Sequence, residues 1–110
     1  MGGVTVREKK ESSVEREACS RAESELGVRN TKFVTPGDTG WPDRIFWIKG
    51  GRPLLIEFKR PGEEPRPKQE YNIGILKKLG YNVEVHDNVE RALCSIARAL
   101  EAGKLSKTKC

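Results

Sequence analysis

The chain has 110 residues, of which 34% are charged and 35% hydrophobic, and its 21 Lys and Arg outnumber 16 Asp and Glu. That length makes one domain with a thin core, and the net charge of +5 favours a polyanionic partner. No run approaches the ~20 apolar residues that span a bilayer, and no apolar stretch follows Met1, so a cytoplasmic, non-secreted protein with no membrane contact is the default expectation.

Residues 1–11 are polar and read as a flexible leader. Ser12-Ser13-Val14-Glu15 matches a capping box, with Ser12 as N-cap and Glu15 at the third position. Val14, Ala18, Ala22 and Leu26 then recur at helical spacing, and Gly27 supplies a stop. Val28–Val34 reads as a short strand, followed by a turn-rich loop through Gly40. Arg44–Ile48 and Leu54–Lys59 flank Lys49-Gly50-Gly51-Arg52 and predict a β-hairpin. Pro61, Pro65 and Pro67 enforce an extended connector, and Pro67 suits the first position of a helix whose buried face is Ile73, Leu76 and Leu79. Tyr81–Val85 alternates as a further strand. Val89, Leu93, Ile96 and Leu100 mark a last helix, with Gly103 as its expected stop and residues 104–110 as a basic tail. The order is α-β-β-β-α-β-α: one α/β domain over residues 12–103 with a mixed central sheet. The three cysteines, Cys19, Cys94 and Cys110, are scattered with no C-x-x-C pair, so they read as free thiols.

Glu57 stands inside the most apolar run of the chain, Leu54-Leu55-Ile56-Glu57-Phe58-Lys59. Strand alternation puts Leu54, Ile56 and Phe58 on one face and Leu55, Glu57 and Lys59 on the other. A buried charge is costly unless it is paired or ligates a metal. Two uses are therefore open: a structural Glu57–Lys59 ion pair, or an acid and a lysine gathered for chemistry. Asp43 follows Trp41-Pro42. Proline confines Trp41 to extended backbone and delivers Asp43 to the mouth of the hairpin, either as a strand cap or as a partner of Glu57. Facing carboxylates repel across strands, and a divalent cation between them removes that cost. Oxygen donors without His or Cys suit Mg²⁺ or Mn²⁺ rather than zinc. Loop length decides between these uses. A two-residue loop at Gly50-Gly51 sets Arg44 against Glu57, whereas a three-residue loop, Lys49-Gly50-Gly51, sets Asp43 against Glu57. A metal site requires the odd loop, or an equivalent bulge that restores the same facing.

Two more polar residues point the same way. Glu15 lies beside the helical seam and can face the core edge, although the capping box alone accounts for it. Gln69 puts a neutral amide on the apolar face of the second helix's first turn, where a buried amide needs partners or caps the helix.

Together, Glu15, Gly40-Trp41-Pro42-Asp43-Arg44, Ile56-Glu57-Phe58-Lys59-Arg60-Pro61 and Gln69 resemble the virus-type replication-repair nuclease (VRR-NUC) domain, a branch of the PD-(D/E)xK nuclease superfamily. Leu79–Val85 also resembles that family's helix-to-strand step. The resemblance implies a restriction-endonuclease-like sandwich and divalent-metal-dependent endonucleolytic cleavage of DNA. Small members of this kind resemble structure-selective enzymes of viral or bacterial type, similar in task to Holliday-junction resolvases. It implies that Asp43 and Glu57 hold the metal, with the Phe58 backbone carbonyl and Glu15 as further donors. Lys59 and Gln69 would complete the catalytic set.

Between Lys59 and Lys78 there are six basic and three acidic residues. Arg60, Arg66 and Lys68, with Arg44 on the other side, are expected to contact DNA phosphates. Trp41 either stacks on a base or packs its own loop, and His86 reads as an ordinary polar strand-end residue. A thin core gains from oligomerisation, and two cuts in a symmetric substrate call for two active sites, so a homodimer is expected. The competing reading is a non-catalytic nucleic-acid-binding module on the same fold.

Overall fold

The structure is a computed structural model that describes residues 12–108, with side chains to Gly103. The expected leader and Cys110 lie outside the described residues. Seven elements follow in the expected order: α1 (Ser13–Leu26), β1 (Asn30–Lys32), β2 (Arg44–Phe46), β3 (Leu54–Phe58), α2 (Pro67–Lys78), β4 (Asn82–His86) and α3 (Val89–Thr108). The sheet runs β1-β2-β3-β4. The first two pairings are antiparallel and β3–β4 is parallel, so the sheet is mixed.

Local chemistry sets the ends of α1. The Ser12 hydroxyl accepts the Glu15 N–H at 3.1 Å, and Gly27 closes the helix with φ +68°. Pro67 opens α2, where its missing N–H costs nothing.

The hairpin register follows the odd loop. Arg44 pairs with Ile56, Ile45 with Leu55 and Phe46 with Leu54. Counted outward, Asp43 falls opposite Glu57; counted inward, Ile48 falls opposite Arg52. The Gly51 N–H donates to the Ile48 carbonyl at 3.3 Å, and Gly50 and Gly51 take φ of +111° and +85°, a region that penalises any side chain.

Strand alternation divides the core. Phe46, Leu54, Ile56 and Phe58 pack with Ala18, Ala22 and Ile96 of α1 and α3. Leu55 and Val83 face Ile73 of α2, with Ile45 and Leu76 at the margin. All five residues of β3 are buried because helices cover both of its faces.

One expected boundary differs. Gly103 does not stop α3, which continues to Thr108. Gly103 is buried where α3 crosses the hairpin, and a Cβ there would drive into the Lys49 carbonyl. The glycine serves a close crossing between elements, which local helix signals do not register.

Candidate active site

The register sets Asp43 and Glu57 on the α2 side of the sheet, with Lys59 two residues further along the same strand direction. Glu57 is fully buried, and Asp43, Lys59 and Gln69 are each less than a tenth exposed. One buried network joins three of them. Lys59 Nζ lies 3.3 Å from Glu57 Oε2 and donates to Gln69 Oε1 at 2.7 Å, while Gln69 Nε2 donates to Glu57 Oε2 at 2.7 Å. Gln69 Oε1 also accepts the Arg66 N–H at 2.8 Å. The Gln69 amide thus caps its own helix and orients both charges, so the two uses open to it in the sequence are both realised. Its orientation is fixed, because the oxygen faces two donors and the nitrogen faces a carboxylate.

Asp43 is held differently. Its Oδ2 accepts the Phe58 N–H at 2.8 Å, which fixes the carboxylate against the end of β3. Its carbonyl accepts the Phe33 N–H at 2.9 Å. The preceding loop is fastened to α2. Gly40, at φ +94°, sits so close to α2 that a Cβ would lie 2.5 Å from Lys68 Cγ and 2.8 Å from Asn72 Nδ2. Asn72 Nδ2 donates to the Thr39 carbonyl at 3.3 Å, and Lys68 Nζ lies 3.7 Å from Asp38 Oδ1. The buried Asn72 therefore fastens the loop that leads into Asp43. Sequence reasoning missed it, although its position three residues after Gln69, on the face that should be apolar, was the available signal.

Glu15 is buried as expected but serves another group. Its Oε2 accepts from Arg44 Nε at 2.8 Å and lies 3.7 Å from Lys32 Nζ. Arg44 pairs with Ile56, so it occupies the α1 side of the sheet, opposite to Glu57. It also donates to Asn30 Oδ1 at 3.2 Å. Among the described residues, no three acidic, His or Cys side chains gather into one metal-holding cluster, and the Glu15 carboxylate is engaged by Arg44 and Lys32.

The rim residues are divided as well. Arg60 and Arg66 are exposed on the connector into α2, and Lys68 is exposed on its first turn. Trp41 packs its own loop, donating to Asp38 Oδ2 at 3.1 Å and meeting Phe33 edge-on at 6.3 Å. His86, in register with Phe58, lies 2.6 Å from Glu84 Oε1 through Nε2. Burial would raise the Glu84 carboxyl, but hydrogen bonds from Ser95 and His86 and the Arg98 charge together hold it below the usual carboxylate range.

What these residues can do follows from their chemistry. Two carboxylates on one face offer hard oxygen donors, and Mg²⁺ is commonly held by one or two carboxylates plus waters and phosphate oxygens. The donor set fits such an ion and does not fit zinc. Replacing Gln69 by Leu keeps the volume but leaves Lys59 and Glu57 each short of a hydrogen bond. We expect it to lower unfolding free energy by about 1–3 kcal/mol, readable as a reduced urea midpoint. An unchanged midpoint would contradict the network.

Comparison with known proteins returns nucleases. No family model matches the chain. A protein of Acyrthosiphon pisum secondary endosymbiont phage 1, described as "Putative nuclease p44", is 37% identical over 79 residues, which cover 72% of this chain and 84% of that protein. A solved structure described as "VRR_NUC domain" superposes with a TM-score of 0.67 at 28% identity, covering 77% of this chain and 91% of that one. A second, described as "VRR_NUC domain protein", gives 0.69 at 21% identity over 84% and 89% of the two chains and supports the fold.

Proposed function

The chain belongs to the VRR-NUC family of nucleases, and we propose that it is a divalent-metal-dependent endonuclease that hydrolyses phosphodiester bonds in branched or junction DNA, acting as a homodimer. The observation that carries this reading is the convergence on one sheet face of Asp43, opposite Glu57, with the buried Glu57–Lys59–Gln69 network. A structural ion pair alone needs neither Asp43 in that register nor an amide bridging the charges.

Asp43 and Glu57, with the Phe58 carbonyl, would hold Mg²⁺ or Mn²⁺. When bound, such an ion polarises the scissile phosphoryl oxygen and lowers the pKa of an attacking water. The remaining work falls to the chain's own groups. Lys59 keeps its ammonium beside that face through Gln69, placed to orient the water or to offset charge developing on the phosphoryl oxygens. Gln69 and Asn72 are positioning residues: the first aims Lys59, the second steadies the loop that presents Asp43. Glu15 enters as the anchor of Arg44 rather than as a ligand. Arg60, Arg66 and Lys68 border the site and fit backbone phosphates without reading sequence.

The test is a panel of duplex, single-stranded, flap and four-way-junction DNA incubated with Mg²⁺, with Mn²⁺ and with EDTA, with light scattering of the protein alone and bound. The reading expects metal-dependent cuts near the branch and a dimer mass. DNA binding with no cleavage in either metal would replace it with the non-catalytic module.

A further inference from the structure

We propose that the outward side of α2 is a base-stacking contact for the DNA strand that leaves the active site, with Tyr71 as the stacking ring and Gly74 as the point of close approach. This rests on the nuclease reading above and adds the substrate feature it selects, an unpaired base roughly two nucleotides from the cut.

The helix turns its buried side, Gln69, Asn72 and Ile73, toward the sheet. At ~100° per residue, Tyr71, Gly74 and Lys78 fall on the opposite side. Tyr71 is 68% exposed, and among the described residues it has no hydrogen-bond or ring partner. A tyrosine two-thirds exposed and without a polar partner gains little for the fold.

Gly74 is the second observation. It lies inside the helix with an ordinary helical backbone, and a Cβ added there would meet nothing within 4 Å. Neither backbone conformation nor internal packing calls for glycine, and glycine weakens a helix interior relative to alanine. The bare backbone is useful only to something approaching from outside. Residues three apart on a helix are neighbours, so the ring of Tyr71 and the bare patch of Gly74 form one surface.

Charge identifies the occupant. Lys68 precedes Tyr71 by one turn, and Lys77 and Lys78 follow Gly74, against a single acid on the helix, Glu70. An exposed aromatic ring flanked by lysines matches single-stranded nucleic acid, where bases stack and phosphates are neutralised. Gln69, in the buried network, precedes Tyr71 by two residues, about 3 Å along the axis, but faces the sheet, so the ring stands across the helix from it, about 10–12 Å away. From Gln69 to Lys78 the helix advances about 14 Å, which accommodates roughly two nucleotides. Tyr71 therefore meets a base roughly two nucleotides from the scissile phosphate, and only if that base is out of the duplex stack, as at a flap or branch.

The test uses the full chain and a flap DNA carrying 2-aminopurine at the branch, in EDTA so that binding is read without cleavage. Wild type should quench the probe on binding. Tyr71→Ala should weaken binding about tenfold and lose the quench, while Tyr71→Phe keeps both. Gly74→Ala should raise the melting temperature by a few degrees and still weaken binding severalfold, a combination that no structural role produces. Wild-type binding and quenching by both Tyr71→Ala and Gly74→Ala would overturn the proposal. So would a shift from dimer to monomer in Tyr71→Ala at unchanged DNA affinity, which would make this face a contact between copies. Tyr71-dependent quenching by a wild type that fails to cut in Mg²⁺ or Mn²⁺ would overturn the catalytic reading and sustain this one. No binding by wild type would overturn both.

Discussion

Glu57→Gln should reduce cleavage of a branched substrate by roughly a thousandfold or more while the protein still folds. Glutamine keeps the size and shape of a fully buried side chain, so no cavity forms, and its carbonyl can accept from Lys59 or Gln69. What is lost is one of the two negative charges that Asp43 and Glu57 place on the α2 side of the sheet. A bound ion supplies several kcal/mol of transition-state stabilisation, and each ~1.4 kcal/mol is tenfold in rate, so losing its seat costs about three decades. Stability should fall rather than rise, because Lys59 is also buried and is left facing a neutral partner. Single-turnover cleavage and a thermal melt on the same preparation separate the two effects. Cleavage within tenfold of wild type by the folded variant would remove Glu57 from the chemistry.

Gly103→Ala should lower the melting temperature by about 10 °C, against the sign that helix propensity alone predicts. Alanine is the better helix former by ~1 kcal/mol. At Gly103, however, the new Cβ meets the carbonyl of Lys49, and the facing Gly50 lies so close that a Cβ on it would be 3.0 Å from Gly103 Cα. Two backbones meet with no flexible side chain to yield, so α3 or the hairpin must shift. Overpacking of this kind costs ~1–3 kcal/mol, and each kcal/mol is worth about 4–8 °C in a domain of this size. The same substitution at Gly74, where the Cβ position is open, should move the melting temperature the other way. Equal shifts at both sites would contradict the crossing.

The parts of the fold legible in the sequence are those set by local chemistry or by a two-residue period. Ser12 and Gly27 bound α1 because cap and turn preferences act within a few residues. The position of Asp43 opposite Glu57 followed from counting across a loop of fixed length, once the loop was odd. Gln69 stood out because an amide on an apolar face is expensive without partners, and it has three. What escaped the sequence depends on contacts between distant segments. The Arg44–Glu15 pair joins residues 29 apart on the far face of the sheet. Alternation alone places Arg44 on that face, but it says nothing of a waiting carboxylate. Asn72 reaches the Thr39 carbonyl across 33 residues. Gly103 resembled a helix stop because glycine in a late turn usually is one, and the Lys49 carbonyl it admits comes from the hairpin, half the chain away.

The most direct measurement is anomalous scattering from crystals soaked in Mn²⁺. One strong peak is expected on the α2 side of the sheet, within roughly 2–2.5 Å of a carboxylate oxygen from each of Asp43 and Glu57, lost in Glu57→Gln crystals. A peak elsewhere, or density that turns the two carboxylates to opposite faces of the sheet, would contradict it.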